Sequence, residues 1–275
     1  MLYRRYTPQP PLAALVGCIW YSEGFEGSHE QERLLPNGES AIIFDLREEP
    51  VRIYDAQDRG RFTTFAPAIF CGARTDCFVI ETSQQERVLG IQFRPGGAFA
   101  FLSMPAGEVA NDTFSLDDLW PGEAARIRDA LMNAGSVEAM FRILERALLS
   151  RLRNSWQLHP TIAFAAGRLA EPGCNLRIGD LAGHVGFSSR RFIELFRDQT
   201  GLTPKSFQRV RRFQQVLRTL RSQTEEPEQN WADLAYRCGY YDQPHFIHDF
   251  RMFSGMTPGE YVTVATPHMN HIPLK

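Results

Sequence analysis

Apolar residues recur along this chain with two periods, and the change from one to the other falls between residues 95 and 97. Before it they come in short runs at Val16 to Tyr21, Glu39 to Leu46, Val51 to Asp55, Ala68 to Cys71, Asp76 to Thr82 and Arg87 to Arg94. These runs are rich in β-branched and aromatic residues and are separated by turn chemistry, which predicts strands. Pro36-Asn37-Gly38 is the clearest turn, because proline presets φ and Asn-Gly tolerates positive φ. Six or more strands with short connections predict an antiparallel sandwich or barrel. Beyond residue 97 the spacing turns helical: a short segment at Phe99 to Leu102, a helix start at Asp117 to Pro121, then amphipathic helices over Glu123 to Asn133 and Val137 to Asn154. Met140, Phe141, Leu144, Ala147, Leu148 and Leu152 make the apolar side of the second. Within residues 115–154 that side serves either as cover for the strands or as the seam of a two-fold dimer.

Further on, one pattern occurs twice. The first copy reads Asp180-Leu181-Ala182, Gly186-Phe187, Phe192-Ile193, Phe196-Arg197, Gly201, Thr203-Pro204. The second reads Asp233-Leu234-Ala235, Gly239-Tyr240, Phe246-Ile247, Phe250-Arg251, Gly255, Thr257-Pro258. The offset is 53 residues at the start and 54 after the glycine-aromatic pair, so the second turn carries one extra residue. Each copy predicts two short helices meeting at an angle. Leu181, Ala182 and Val185 form one stripe, Gly186 stops it, Ser188 caps the next helix, and Phe192, Leu195 and Phe196 form its buried side. Leu234, Ala235, Cys238, Gly239, Asp242, Phe246 and Phe250 repeat those roles, with Pro244 in a first turn where a missing N–H costs little. Two helix-turn-helix units, 177–201 and 230–255, are therefore expected.

Such a unit reads DNA with the outward face of its second helix. That face carries Ser189, Arg190, Arg191, Glu194 and Arg197 in the first copy, and Gln243, His245, His248 and Arg251 in the second. Arg can pair with guanine, Gln with adenine, and Glu can accept from cytosine; a merely solvated helix face is the plainer alternative. Between the copies, Phe207, Val210, Phe213, Val216, Leu217 and Leu220 recur at helical spacing over Pro204 to Ser222, a helix of roughly 28 Å. That approaches the ~34 Å separating successive major grooves on one DNA face. Its other side carries Lys205, Arg209, Arg211, Arg212, Arg218 and Arg221, placed either to touch phosphates or to stay wet. The whole chain has net charge −2, but residues 1–155 hold 16 basic and 21 acidic side chains, while residues 158–222 hold 11 basic and 4 acidic. Positive charge is thus concentrated on the first unit and the connector.

The paired units, the stretch from Gly239-Tyr240 to Phe250-Arg251, and Thr257-Pro258-Gly259-Glu260-Tyr261 make residues 158–264 similar to the DNA-binding domain of the AraC/XylS family of bacterial transcription regulators. The resemblance implies base contacts at the positions held here by Arg190, Ile193 and Glu194, and by Gln243, Pro244 and His248. Ile193 and Pro244 offer no hydrogen bond there. The strand-rich half resembles, in outline, the effector-sensing half of the same family, often a cupin-like barrel. Leu35-Pro36-Asn37-Gly38 and Phe93-Arg94-Pro95-Gly96-Gly97 resemble the marks of one sensor subtype.

The expected architecture is α+β and multidomain. Residues 1–155 form a cupin-like antiparallel β barrel or sandwich with trailing helices, residues 156–266 an all-α double helix-turn-helix domain, and residues 267–275 a mobile tail. The expected function is sequence-specific, effector-controlled transcription regulation, with double-stranded DNA and a small molecule as partners. RNA polymerase and a second copy of the chain are further candidates. Trp20, Phe44 and Phe93 are expected to wall an effector pocket, and Arg94 to pair with an acidic effector; filling a core and pairing internally are their plainer alternatives.

Catalysis is not expected. Residues 1–155 contain one histidine, His29, where a metal-dependent barrel needs two or three, the chain has no Gly-rich phosphate loop, and Ser40, Ser83 and Ser103 have no histidine nearby. An enzyme with a helix-turn-helix targeting module, and a protein-interaction module, remain the alternatives from other classes. Cys18, Cys71, Cys77, Cys174 and Cys238 lack metal-ligand spacing and are expected reduced, with Cys71 and Cys77 as candidates for redox or alkylation sensing. No cofactor or metal is expected. The amino-terminal Met1-Leu2-Tyr3-Arg4-Arg5 leads into Pro8, Pro10 and Pro11 where a signal peptide has an apolar run, and no apolar stretch approaches the ~20 residues of a membrane helix, so a cytoplasmic protein is expected.

Overall fold

The computed structural model describes residues 1–25, 27, 29–152, 157–174, 176–222 and 230–274. Strands β1 (Leu2–Tyr6), β2 (Val16–Glu23), β3 (Gln31–Leu34), β4 (Ala41–Asp45) and β5 (Val51–Tyr54) come first. They are followed by β6 (Phe62–Phe65), β7 (Ala68–Cys71), β8 (Phe78–Glu81), β9 (Arg87–Phe93) and β10 (Thr113–Ser115). Helices α1 (Leu116–Leu119), α2 (Ala124–Met132) and α3 (Val137–Leu152) close the first half. The second half holds α4 (Pro160–Leu169), α5 (Ile178–His184), α6 (Ser189–Thr200), α7 (Pro204–Ser222), α8 (Trp231–Arg237), α9 (Gln243–Ser254) and α10 (Pro258–Val264), and ends in β11 (His271–Leu274).

All strand pairs are antiparallel and make two sheets, ordered β1-β2-β9-β4-β7-β10 and β11-β3-β8-β5-β6. Alternation along the six-stranded sheet divides its residues between two environments. Ile42, Phe44, Leu89, Ile91 and Phe93 point outward into a packed core shared with Phe101, Trp120, Phe141, Leu144 and Leu148. Ala41, Ile43, Val88 and Gln92, on the opposite face, look toward the five-stranded sheet across a cavity. Leu144 and Leu148 are 1% and 0% exposed, so of the two roles open to that stripe these two leucines take cover for the strands. Trp120 is tied into the same core by its indole N–H, which donates to the Phe101 carbonyl at 3.0 Å.

The two glycines of Arg94-Pro95-Gly96-Gly97 have separate reasons. Gly96 sits at φ 77° under Leu158, and a Cβ on Gly97 would fall 1.9 Å from the Leu15 carbonyl oxygen.

The carboxy-terminal tail departs from expectation. β11 adds to the edge of the five-stranded sheet, with His271 opposite Leu34 and Leu274 opposite Gln31. Burial of Ile272 to 1% exposure, and a 2.8 Å ion pair between His271 and Glu32, hold it there. Pro273 is tolerated because β11 is an edge strand. The boundary expected at residues 155 and 156 lies outside the described residues, as do residues 223–229 between the connector and the second unit.

Candidate nucleic-acid interface and sensor cavity

The two repeats fold as equivalent units down to single hydrogen bonds. Phe187 N–H donates to the Ala182 carbonyl at 3.0 Å, and Tyr240 N–H to that of Ala235 at 2.9 Å. Gly186 and Gly239 stand at φ 77° and 81°, where a Cβ would strain the turn between the paired helices. Ser188 and Asp242 cap α6 and α9 by accepting from Arg191 N–H at 3.3 Å and His245 N–H at 2.8 Å. The Thr200 hydroxyl donates to the Phe196 carbonyl at 2.8 Å, and the Ser254 hydroxyl to that of Phe250 at 2.7 Å. Phe192, Phe196, Phe246 and Phe250 are all fully buried, the first pair on Phe207 of α7 and the second among Phe213, Phe253 and Tyr261.

On α6, Ser189, Arg190, Arg191 and Glu194 are exposed together. Arg190 and Glu194 are joined at 2.9 Å, with the Arg190 side chain 90% exposed. Arg197, expected on the same face, is exposed as well, while its stem lies against the amino-terminal half: a Cβ on Gly107 would meet it at 3.1 Å. On α9, His248 and Arg251 are exposed and Gln243 is half-buried. His245 is drawn inward instead, its Nε2 3.7 Å from buried Asp249 and its ring edge-on to Tyr240.

Half of the basic side of α7 is already engaged. Arg209 binds Asp249 through two nitrogens at 2.6 and 3.2 Å, fixing α9 to the connector. Arg211 donates to Glu39 at 2.9 Å and to the Asn37 carbonyl at 3.4 Å, and Arg212 lies over the Tyr240 ring. Lys205, Arg218 and Arg221 stay exposed. Sequence periodicity places these cations on one side but does not reveal which have carboxylate partners in other elements.

The amino-terminal half touches the helical half at matching places. Gly201, ending α6, lies against Ala73 and Ala110, while Gly255, ending α9, lies under Arg33, whose guanidinium donates to the Ser254 carbonyl at 3.0 Å. Leu35 enters the core of the second unit beside Val210 and Phe213, and Gly38, at φ 74°, sits against Val210 and Phe207.

Between the sheets is a cavity of about 310 Å³ walled by Trp20, Ile43, Ile53, Ile69, Phe78 and Ile80. Trp20 lies flat across Gly90, where a Cβ would come within 2.3 Å of the indole. Of the four residues expected to form the pocket, Trp20 alone reaches it. Phe44 and Phe93 are one step out of phase and face the helix-covered core, and Arg94 lies at the strand end donating to the Ala13 carbonyl at 2.9 Å. Cys71 borders the cavity, but burial pushes its thiol up to about 11, away from the thiolate a redox or alkylation sensor uses, and burial also raises Cys77. Sequence reading missed Asn37, Glu39, Gln92, Asn270 and His271, which form the polar end of the cavity. The alternation that signals Glu39 and Gln92 is legible in the strands, but Asn270 and His271 reach the cavity only because β11 crosses back.

Among the described residues, no group of three or more His, Cys, Asp or Glu side chains is placed to hold a metal ion, and no helix is long and apolar enough to cross a membrane.

Paired helix-turn-helix units with capped, outward-facing second helices define a DNA-binding transcription regulator. Residues 181–263 match a family model described as a helix-turn-helix domain, and residues 4–115 match one described as a domain of unknown function (DUF6597). The helical half is similar to AraC-type regulators of the AraC/XylS family. The chain is 25% identical over 201 residues to the arabinose operon regulatory protein of Escherichia coli (strain K12), spanning 67% of each chain. Among solved structures, ToxT from Vibrio cholerae O395 bound to (E)-4-(8-methylnaphthalen-1-yl)but-3-enoic acid aligns over 96% of this chain and 99% of that one, at 10% identity and a TM-score of 0.46. The DNA-binding domain of AdpA, in complex with a target DNA, aligns over 38% of this chain and 86% of that one, at 27% identity and a TM-score of 0.31.

Proposed function

We propose that this regulator reads a specific DNA sequence through α6 and α9, and that a small effector held between the two sheets controls the reading. Arg190 and Glu194 on α6, and Gln243 and His248 on α9, are the proposed base readers. Ser189, Arg191 and Arg251 flank them, and Lys205, Arg218 and Arg221 are the proposed phosphate contacts. Arg197 and His245 orient the units rather than touch DNA. The sensor is proposed to end near residue 155 and the reading domain to occupy 156–266, with β11 returning to the sensor.

One observation carries the control: residues bordering the cavity also hold the connector. Glu39 accepts from Arg211, and Gln214 donates to the Pro36 carbonyl at 2.8 Å and to Asn270 Oδ1 at 2.9 Å. A ligand reaching that end of the cavity competes for or reinforces these bonds. It thereby favours one placement of α7, and with it one relation between the two reading helices. The test is selection of bound sequences from random duplex DNA, with and without a cell metabolite extract. One recovered site whose affinity falls linearly in log–log terms with salt, and changes with the extract, is the expected result. Recovery of no preferred sequence would overturn it.

A further inference from the structure

Besides the Cys71 thiol, four ionisable side chains border the cavity between the sheets, and each already has a partner. Asp45 is held by Arg47 at 2.7 Å, and Arg74 by Asp76 at 3.0 Å while it lies over the Phe78 ring. His271 pairs with Glu32 at 2.8 Å, and Glu39 pairs with Arg211 at 2.9 Å. The remaining surface is chiefly hydrocarbon, with Trp20, Ile43, Ile53 and Phe78 only partly buried because nothing fills the space between them.

We infer that the cavity takes an uncharged, mainly hydrocarbon or aromatic molecule with a single hydrogen-bonding group, rather than a carboxylate or an amine; this rests on the effector reading above. A carboxylate would surrender its hydration to a space where no cation is free, and would lie against Glu39 and Asp45, the two carboxylates bordering it. An amine would have to draw Glu39 away from Arg211. That would strip the last ionic partner from a buried guanidinium whose Nε already lacks an acceptor. A hydroxyl or carbonyl meets neither penalty, since Asn37, Gln92 and Asn270 offer amide groups at the polar end. At about 310 Å³ the space is near the lower limit for small-molecule sites, which selects compact ligands of about two rings or a short chain.

The test uses the full chain and two matched trios: naphthalenemethanol, naphthoic acid and naphthylmethylamine, then decanol, decanoic acid and decylamine. Binding is measured by titration calorimetry near neutral pH. The uncharged member of a trio should bind at least about tenfold more tightly than its acid and its amine. Ile53→Trp, which fills the space, should abolish that binding while the melting transition is kept. Should Ile53→Trp fail to fold, Ile43→Phe serves the same purpose. Equal or tighter binding of an acid or an amine overturns the charge class and leaves the effector reading standing. Failure of all six compounds overturns the ligand class, the effector reading being decided separately by the DNA selection with and without extract, and undiminished binding to the filled variant overturns the site.

Discussion

Arg211 donates to Glu39 across 2.9 Å, and by that bond a side chain on the wall of the sensor cavity holds the helix that joins both reading units. Neither partner is well exposed, at 15% and 21% of side-chain surface. Burial pushes the Glu39 carboxyl up, against the pull of the Arg211 guanidinium. The pair is therefore under opposed demands, favourable only while α7 stays docked on the Pro36-Asn37-Gly38 turn.

Arg211→Ala should destabilise the chain by about 1–3 kcal/mol, because the half-buried Glu39 carboxylate is left without its cation. Glu39→Gln should cost less, and the double variant should cost clearly less than the sum. Denaturant midpoints of the four proteins measure the coupling. Strictly additive losses would mean that the two residues act independently, and would remove the route from cavity to connector.

Arg190 and Glu194 neutralise one another at 2.9 Å in the free protein. If Arg190 pairs with a guanine, the Arg190→Ala variant should lose about ten- to hundredfold in affinity for the selected site and relax its preference at one base pair. Glu194→Ala should instead raise affinity for non-specific DNA, since it unmasks the guanidinium. Competition binding at fixed salt distinguishes these outcomes. A loss shared equally by all sequences would assign Arg190 to phosphate.

Phe192 is fully buried, with its ring 5.8 Å from that of Phe196. Phe192→Ala should cost about 3–5 kcal/mol, and Phe246→Ala, its counterpart, a similar amount. Thermal or urea unfolding checks both. A loss below about 1 kcal/mol for either would show that the core closes over the deleted ring.

The helical half was legible because its sequence carries its geometry twice. Gly186 and Gly239, Ser188 and Asp242, and the Phe pairs each announce a turn, a cap or an anchor at fixed spacing. The first half was legible at the level of its apolar strands, yet β1, β3, β6 and β10 escaped notice. Gln31–Leu34 is too polar, and Phe62–Phe65 lies at an exposed edge. Alternation told that Phe44 and Ile43 face opposite ways, but not which side was packed and which was hollow. That is decided by helices far along the chain. Leu35-Pro36-Asn37-Gly38 and Phe93-Arg94-Pro95-Gly96-Gly97 stood out as motifs, and the fold gives them a purpose the sequence could not: Gly38 seats Phe207 and Val210, and Gly96 seats Leu158.

The attachment of β11 carries its own pH dependence. Burial alone would raise the Glu32 carboxyl, but hydrogen bonds from His271, His29 and Gln85 outweigh it and hold Glu32 at about 2. A folded-state value below the ordinary carboxylate value of about 4.3 means that Glu32 stabilises the fold fully above that value. The contribution is lost as the pH falls from there toward about 2. Glu32→Gln should therefore be less stable than the parent near pH 6, and the gap in urea midpoint should narrow as the pH falls toward about 3. The protection factors of the Ile272 and Leu274 amides, observed exchange divided into the intrinsic rate at each pH, should fall over the same interval, because β11 hangs on β3 through this pair as well as through its ladder. A gap that stays constant or widens on acidification would show that the carboxylate contributes nothing to holding the strand, leaving Ile272 burial as its anchor.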